Sequence, residues 1–201
     1  MVLQRSVGKQ VVTTANDADD AVGVKGLHWY IAVVTNRSER KCSESLRLEG
    51  YESYVAIQRE THTWKNGRKA VVDRIVLPSL VFVRTTETDR RKRVAFLPFV
   101  RRFVSDPARR KEEHAPAPAA IVPDTELQTL RFMLEHAEHP VTVDAAVFQS
   151  GDRVEVVSGR LKGLQGVVRR AEDGKTRLSV ALDILGSAHV EIDRRDLKSI
   201  S

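Results

Sequence analysis

Six histidines, one cysteine and one glycine-rich run are among the groups in this chain suited to catalysis or metal binding. The histidines (His28, His62, His114, His136, His139 and His189) are scattered, and only His136 and His139 stand close together, three residues apart. Their acidic neighbours, Glu135 and Glu138, do not complete the Cys/His set that a structural zinc site uses, so no metal is expected. Gly159-Arg160-Leu161-Lys162-Gly163 lacks the Gly-Lys-Ser/Thr ending that cradles a nucleotide phosphate. Cys42 has Arg40 and Lys41 beside it, which would favour a thiolate, but its place on the inner stripe of a helix predicts burial. No catalytic constellation emerges and no cofactor is implied. Function must then come from binding, through cations and large apolar side chains.

The cations are unevenly spread. The chain carries 33 Lys and Arg against 27 Asp and Glu, a net charge of +6 that favours polyanionic partners without proving one. Residues 85–111 alone hold nine cations against three acids. From Gln149 onward the balance is ten against eight. A single cysteine excludes an intramolecular disulfide, and neither a leader-like apolar stretch nor a membrane-length apolar run is present. A cytoplasmic, soluble, monomeric protein is the expectation.

The elements that must position these groups can be read from periodicity. Residues 1–26 offer no face to bury and read as a disordered arm. From His28, Trp29, Ile31 and Val33 alternate with Tyr30, Ala32 and Val34, apolar on both faces, which predicts a central strand. Asn36 followed by Glu39 resembles a capping box, so a 13-residue helix is expected, stopped by Gly50 and burying Cys42 and Leu46. A β segment from Tyr54 to Trp64 meets Lys65-Asn66-Gly67-Arg68, where Asn-Gly predicts a type I′ hairpin returning over 69–76. The apolar strand Leu80-Val81-Phe82-Val83 follows, then a helix over 87–96 capped by Thr86, a strand over 99–104 and a Pro/Ala/charge loop over 105–120. Asp124 is expected to cap a helix with Leu127, Leu130, Leu134 and Ala137 on one face. This order describes an α+β domain over 27–137, an antiparallel sheet flanked by helices.

After a connector over 138–149, Gly151-Asp152-Arg153-Val154-Glu155-Val156 opens a second, all-β domain over 150–201. Val154 and Val156 face one way at period two. Gly159, Gly163 and Gly166 then mark a turn into Val167-Val168, since glycine tolerates positive φ and close backbone approach.

This glycine, charge and valine order resembles the KOW motif, an SH3-like barrel of transcription elongation factors and ribosomal proteins. Trp29-Tyr30-Ile31-Ala32-Val33, Leu77-Pro78-Ser79-Leu80-Val81-Phe82-Val83, Pro116-Ala117-Pro118 and Ile121-Val122-Pro123-Asp124 resemble an NGN domain, and NGN followed by KOW resembles the bacterial NusG family. Ser79 stands where that family usually carries Gly, Leu77 where it carries an aromatic, Arg160-Leu161 where Pro-Phe is common, and Leu185-Gly186-Ser187 where Phe-Gly-Arg is usual. The long arm and basic helices resemble the operon-targeted UpxY-type antiterminators of capsule clusters.

The resemblance implies an elongation or antitermination factor that docks on the RNA polymerase clamp and suppresses pausing or termination. Tyr30, Leu77, Leu80 and Phe82 would form the apolar docking depression, with Arg90 and Arg91 on its rim. Because Trp29 and Tyr30 point to opposite faces, Trp29 is assigned to the core and Tyr30 to the groove. Arg37, Arg40, Lys41 and Arg47 form either a solvated helix face or a contact to non-template DNA, for which Tyr51 or Trp64 offers a stacking platform. The KOW motif residues Gly151, Asp152, Val154, Val156, Gly159, Gly163 and Gly166 would build a module recruiting Rho or a small-subunit ribosomal protein. The glycines and β-branched runs predict a permanent barrel rather than a helical hairpin. The alternative is a KOW-containing ribosomal or other RNA-binding protein, which the near-neutral barrel disfavours. A DNA-binding repressor lacks a helix-turn-helix signature.

Overall fold

A computed structural model describes residues 26–144, 151–170 and 174–200. The arm expected to be disordered, apart from Gly26, and positions 145–149 of the connector lie outside the described residues.

The first sheet is built around β1 (Leu27–Val34). Along one side runs β5 (Leu80–Thr86), antiparallel, with Tyr30 opposite Val83 and Ile31 opposite Phe82. The edge strand β2 (Glu52–Tyr54) lies beyond β5. The other side of β1 is shared by β6 (Val100–Phe103), next to Ala32–Val34, and by β7 (Ile121–Val122), next to Trp29 and Tyr30. Strand alternation divides the interior into two cores. Trp29, Ile31 and Phe82 join Leu127, Leu130, Met133 and Leu134 of α3 (Asp124–His136). Tyr30, Ala32, Val34, Val81 and Val83 join Cys42 and Leu46 of α1 (Glu39–Leu48), with Val94 from the helical turn after α2 (Glu87–Lys92). Trp29 and Cys42 are thus buried, at 4% and 3% exposure.

Several local details differ from the sequence expectation. Helix α1 spans ten residues and is preceded by Ser38, whose side chain makes no cap hydrogen bond, while Arg37 sits in the turn before it at φ 65°. Its other end is a Schellman arrangement: the Gly50 amide donates to the Arg47 carbonyl and the Tyr51 amide to that of Leu46. Thr86 does cap α2, accepting from the Asp89 amide, but the α-helix stops at Lys92 and continues only as a 3₁₀ turn over Val94–Phe96. Asp124 is the first residue of α3 rather than its cap, and its carboxylate receives the Trp29 indole N–H at 2.9 Å.

The expected single β segment from Tyr54 to Trp64 is split between sheets. β3 (Ile57–Thr63) and β4 (Lys69–Ile75) form a separate two-stranded ribbon. Its turn is not type I′, which needs positive φ at both central residues. Here only Gly67 is left-handed, at φ 78°; its amide donates to the Trp64 carbonyl, and the Trp64 amide donates to Arg68. That is a three-residue loop, a type I turn closed by a glycine bulge.

The second sheet has the order β13-β9-β10-β11-β12-β8. It comprises β8 (Thr142–Asp144), β9 (Asp152–Val156), β10 (Gln165–Arg170), β11 (Thr176–Leu182), β12 (Gly186–Glu191) and β13 (Leu197–Ser199). Val154, Val156, Leu178, Leu182, Ala188 and Val190 fill its interior, and Val157 faces out, as the period-two reading expected. Strand β8 belongs to the connector segment and pairs with β12. Among the described residues no helix is long and apolar enough to cross a membrane.

Gly166 lies within β10 rather than in the turn: a Cβ there would stand 2.4 Å from the Ser179 carbonyl oxygen of β11. Gly166→Ala is therefore expected to cost the barrel about 1–3 kcal/mol through forced strand displacement, read as a lower urea midpoint; an unchanged midpoint would show that β10 and β11 can separate freely. Ser79 holds φ 63°, a conformation that costs a residue with a Cβ about 1–2 kcal/mol. After the entropy that glycine loses on folding is set against this, Ser79→Gly should raise stability by about 0.5–1 kcal/mol, seen as a higher midpoint in the same titration.

Candidate interaction surfaces

Leu77, Pro78, Ser79 and Leu80 make a turn with proline second and positive φ third, the type II pattern. Two neighbours fix it: the Ser79 amide donates to Glu39 Oε1 at 2.7 Å, and the Ser79 carbonyl accepts from Val34 at 2.8 Å. Leu77 and Leu80 are held half-buried at the end of the α3 face of the sheet. Register places Val33 of β1 opposite Leu80, also half-exposed. Phe82, two residues along, is fully enclosed, with the Tyr54 ring 5.8 Å away. Leu77, Leu80 and Val33 thus make an apolar surface to which Phe82 contributes only from below. Sequence reading missed Val33, whose only signal was its alternation with Trp29 and Ile31.

Tyr30 is not part of that surface. It is 1% exposed on the opposite face, edge-on to Phe103 at 6.2 Å. Burial, reinforced by the Glu87 carboxylate, pushes its hydroxyl up to about 12. Arg90 lies across the Tyr30 and Phe103 rings at 5.3 and 4.9 Å and pairs with Glu87 at 2.6 Å. The hydrogen bond from Arg90 holds Glu87 below the usual carboxylate range despite partial burial. The expected docking pair therefore separates: Tyr30 and Arg90 pack the core, whereas Arg91 remains exposed beside Lys92 and the 80%-exposed Phe96. Phe96 also went unnoticed in the sequence, because nothing distinguishes an outward phenylalanine in a short helix from a buried one.

The four cations assigned to α1 also divide. Arg40 reaches Asp73 on β4 at 2.8 Å, and Arg47 donates to the Ser53 carbonyl at 3.1 Å. Arg40 holds the Asp73 carboxyl below its ordinary range. Arg37 and Lys41 are exposed.

In the barrel, Gly151, Gly159 and Gly163 adopt positive φ. Asp152 starts β9 opposite Val168, and Val154 and Val156 are buried. The loop between β9 and β10 is closed by the Gly163 amide on the Val156 carbonyl and the Val156 amide on Leu164. Its Leu161 and Leu164 are 7% and 9% exposed. This loop lies along α3: Lys162, Gly163 and Leu164 line a cleft with Gln128, Thr129 and Phe132, while Arg160 and Leu161 line another with His136 and His139.

Glu126 fastens this junction. Its carboxylate accepts the Leu185 amide at 3.1 Å and the Ile184 amide at 3.2 Å, both from the turn between β11 and β12. Burial raises its carboxyl above the usual range, against the lowering effect of those amides. A first-turn glutamate is unremarkable in sequence, so nothing pointed to it. Among the described residues no group of three His, Cys, Asp or Glu could hold a metal ion.

The family model described as transcription termination factor nusG matches residues 27–131, and that of the KOW motif matches residues 150–193. No curated protein matches the chain. Among solved structures, Thermotoga maritima NusG, studied for its domain interaction, is 20% identical over 87% of this chain and 98% of its own, with a TM-score of 0.45. The MjSpt4:Spt5 complex is 15% identical over 86% of this chain and 97% of that one, with a TM-score of 0.27. With the first model covering more than half of its length and the KOW motif following in order, the chain belongs to the NusG family of transcription factors.

Proposed function

We propose that this protein acts by binding, as an elongation or antitermination factor docked on the clamp of RNA polymerase, with residues 27–137 as the docking domain and 150–201 as a recruiting domain. The observation that carries this reading is the half-buried apolar surface of Leu77, Leu80 and Val33 on a conformationally fixed turn. Clustered apolar groups on a rigid support are what a helix-in-groove contact requires, since a few such side chains supply most of the affinity. Arg91 and Lys92 are exposed cations of α2, on the other face of the sheet from that surface, and Arg37, in the turn before α1, and Lys41, on α1, are exposed to meet non-template DNA. The unusual Ser79 and Leu77 support specialisation toward particular operons, such as polysaccharide clusters.

The barrel's position on α3 adds a condition to recruitment. Leu161 and Leu164 lie against the first domain, so Rho, a ribosomal protein or any other factor that uses this loop must compete with α3. Release, rather than refolding, is then the step that exposes the recruiting surface.

Two measurements test these readings. Purified full-length protein should capture RNA polymerase at low salt, and Leu80→Asp or Leu77→Asp should weaken capture by about 2 kcal/mol or more, the size of a central interface residue. Absence of capture by the wild-type protein would sink the clamp reading. Glu126→Ala should loosen the barrel by about 1–3 kcal/mol by leaving two amides without an acceptor, seen as faster hydrogen exchange at Ile184 and Leu185. Because the docked state raises the Glu126 pKa, it takes up a proton more readily than the undocked state. Docking should accordingly be strongest below the free-glutamate value of about 4.3 and weaken as pH rises through the raised value; the opposite trend would exclude Glu126 as the controlling group.

A further inference from the structure

We propose that the cationic and apolar surface at the end of α2 is the docking site of an acidic segment of the chain's own N-terminal arm, residues 16–24. The inference goes beyond the polymerase reading and does not rest on it.

The break in the helix creates this surface. After Lys92 the chain continues as a 3₁₀ turn in which Val94 is buried and Phe96 stands exposed. Phe96, Thr88, Arg91 and Lys92 line an open cleft of about 620 Å³, with Glu87 at its edge. Glu87 is already answered, because Arg90 donates to both of its oxygens at 2.6 and 2.7 Å. Among the described residues no acid lies within ion-pair distance of Arg91 or Lys92. An outward phenylalanine beside two such cations suits a ligand that is anionic and apolar together.

The chain carries such a ligand beside the cleft. Asp17, Asp19 and Asp20 are the only acids before Glu39, they are followed by Val22 and Val24, and residues 16–24 hold no cation. The arm joins the sheet at Leu27, which pairs with Thr86, the residue that caps α2. It therefore departs one strand spacing, about 5 Å, from the start of that helix. Asp20 stands seven residues before Leu27 and can reach about 23 Å when extended. Six residues separate Thr86 from Lys92, a rise of about 9 Å. An arm laid back along α2 thus brings Asp19 and Asp20 to Arg91 and Lys92, with Val22 and Val24 in the cleft.

The other side of β1 is closed to the arm by charge. There β7 pairs with Trp29 and Tyr30 and leads into Asp124 and Glu126 of α3, which repel a third run of acid. Of the two directions open to the arm, only α2 is complementary. Exposed ion pairs are individually weak, so the contact is reversible. Covalent attachment compensates, since a short tether holds a ligand at an effective concentration of about the millimolar range. Any partner that uses Arg91 and Lys92 must displace the arm first.

The test is zero-length carbodiimide crosslinking of the full-length wild-type protein at low salt, mapped by mass spectrometry. The expected product is an amide between Asp19 or Asp20 and Lys92 within one monomer, reduced about fivefold or more at 1 M salt, where the screening length falls to about 3 Å. Hydrogen exchange gives a second readout at Phe96 and Leu97, whose amides close the 3₁₀ turn. Asp17→Asn, Asp19→Asn and Asp20→Asn together should speed that exchange about fivefold, as expected for losing several exposed ion pairs. Asp19→Lys and Asp20→Lys combined with Arg91→Glu and Lys92→Glu should restore slow exchange, whereas Arg91→Glu and Lys92→Glu alone should not. Circular dichroism of each variant confirms that folding is retained. A crosslink found only in a dimer would assign the surface to a second copy. Crosslinks from the same acids to Lys41, Lys69 or Lys111 in equal yield would mean unspecific attraction. Either result, or unchanged exchange in the triple variant, overturns the proposal.

Discussion

Each helical layer of the first domain is fastened to β1 by the same three-part contact, and the rest of the architecture follows from having two of them back to back. On one face the Trp29 indole donates to Asp124, the first residue of α3, and Arg131 of the same helix lies 5.2 Å over the ring. On the other face Tyr30 meets Glu87, the first residue of α2, and Arg90 of that helix lies 5.3 Å over the ring. An aromatic side chain brings large apolar area but carries a polar atom that must be answered when buried. Placing an acid in the first turn of the covering helix answers that atom and complements the helix dipole at once. A slip of one residue in β1 would exchange Trp29 with Tyr30 and break both contacts together, so the register of the sheet is set from its centre.

That arrangement also decides which cations are available for partners. Arginine serves well as a lid over an aromatic ring because its planar, weakly hydrated head tolerates partial burial. Arg90 and Arg131 are used in this way, and Arg40 and Arg47 tie α1 to β4 and β2. The high positive charge of the sequence therefore overstates the charge offered outward in a fixed geometry. Among the first domain's cations, exposed ones remain at the turn before α1, around the end of α2, on β6 and in the loop that follows it, and at the ribbon tip.

The two-core sheet was legible because an uninterrupted apolar run with strand length admits few other arrangements, and Thr86, Gly50 and the glycines of the barrel are local signals with local causes. What escaped was non-local. Asp124 has the composition of a cap, yet Trp29, 95 residues away, takes its carboxylate. Alternation says only that Trp29 and Tyr30 face opposite ways, not which face stays open; the covering of the Tyr30 face by α1 and α2 decides that. Asn66-Gly67 signals a tight hairpin but leaves the loop length open, and one additional residue converts the expected turn into the bulged one. Glu126 illustrates the limit most clearly, since its function depends on a turn 58 residues later.

The junction at Glu126 explains why a near-neutral barrel can sit on a basic domain without a complementary charge pattern. The groups offered to the carboxylate are main-chain amides of Ile184 and Leu185, so the contact does not depend on which side chains the turn carries. Leu185 packs partly buried against the core, while its amide donates to Glu126 whatever its side chain. Specificity of docking then resides in shape, through Leu161, Leu164 and Phe132, and in the one buried acid. Burying that acid opposes its ionised form, while the amides favour it, and the raised pKa shows that burial is the larger effect. The carboxylate thus holds the turn against an opposing cost of burial, so the junction is weaker than its hydrogen bonds alone would make it.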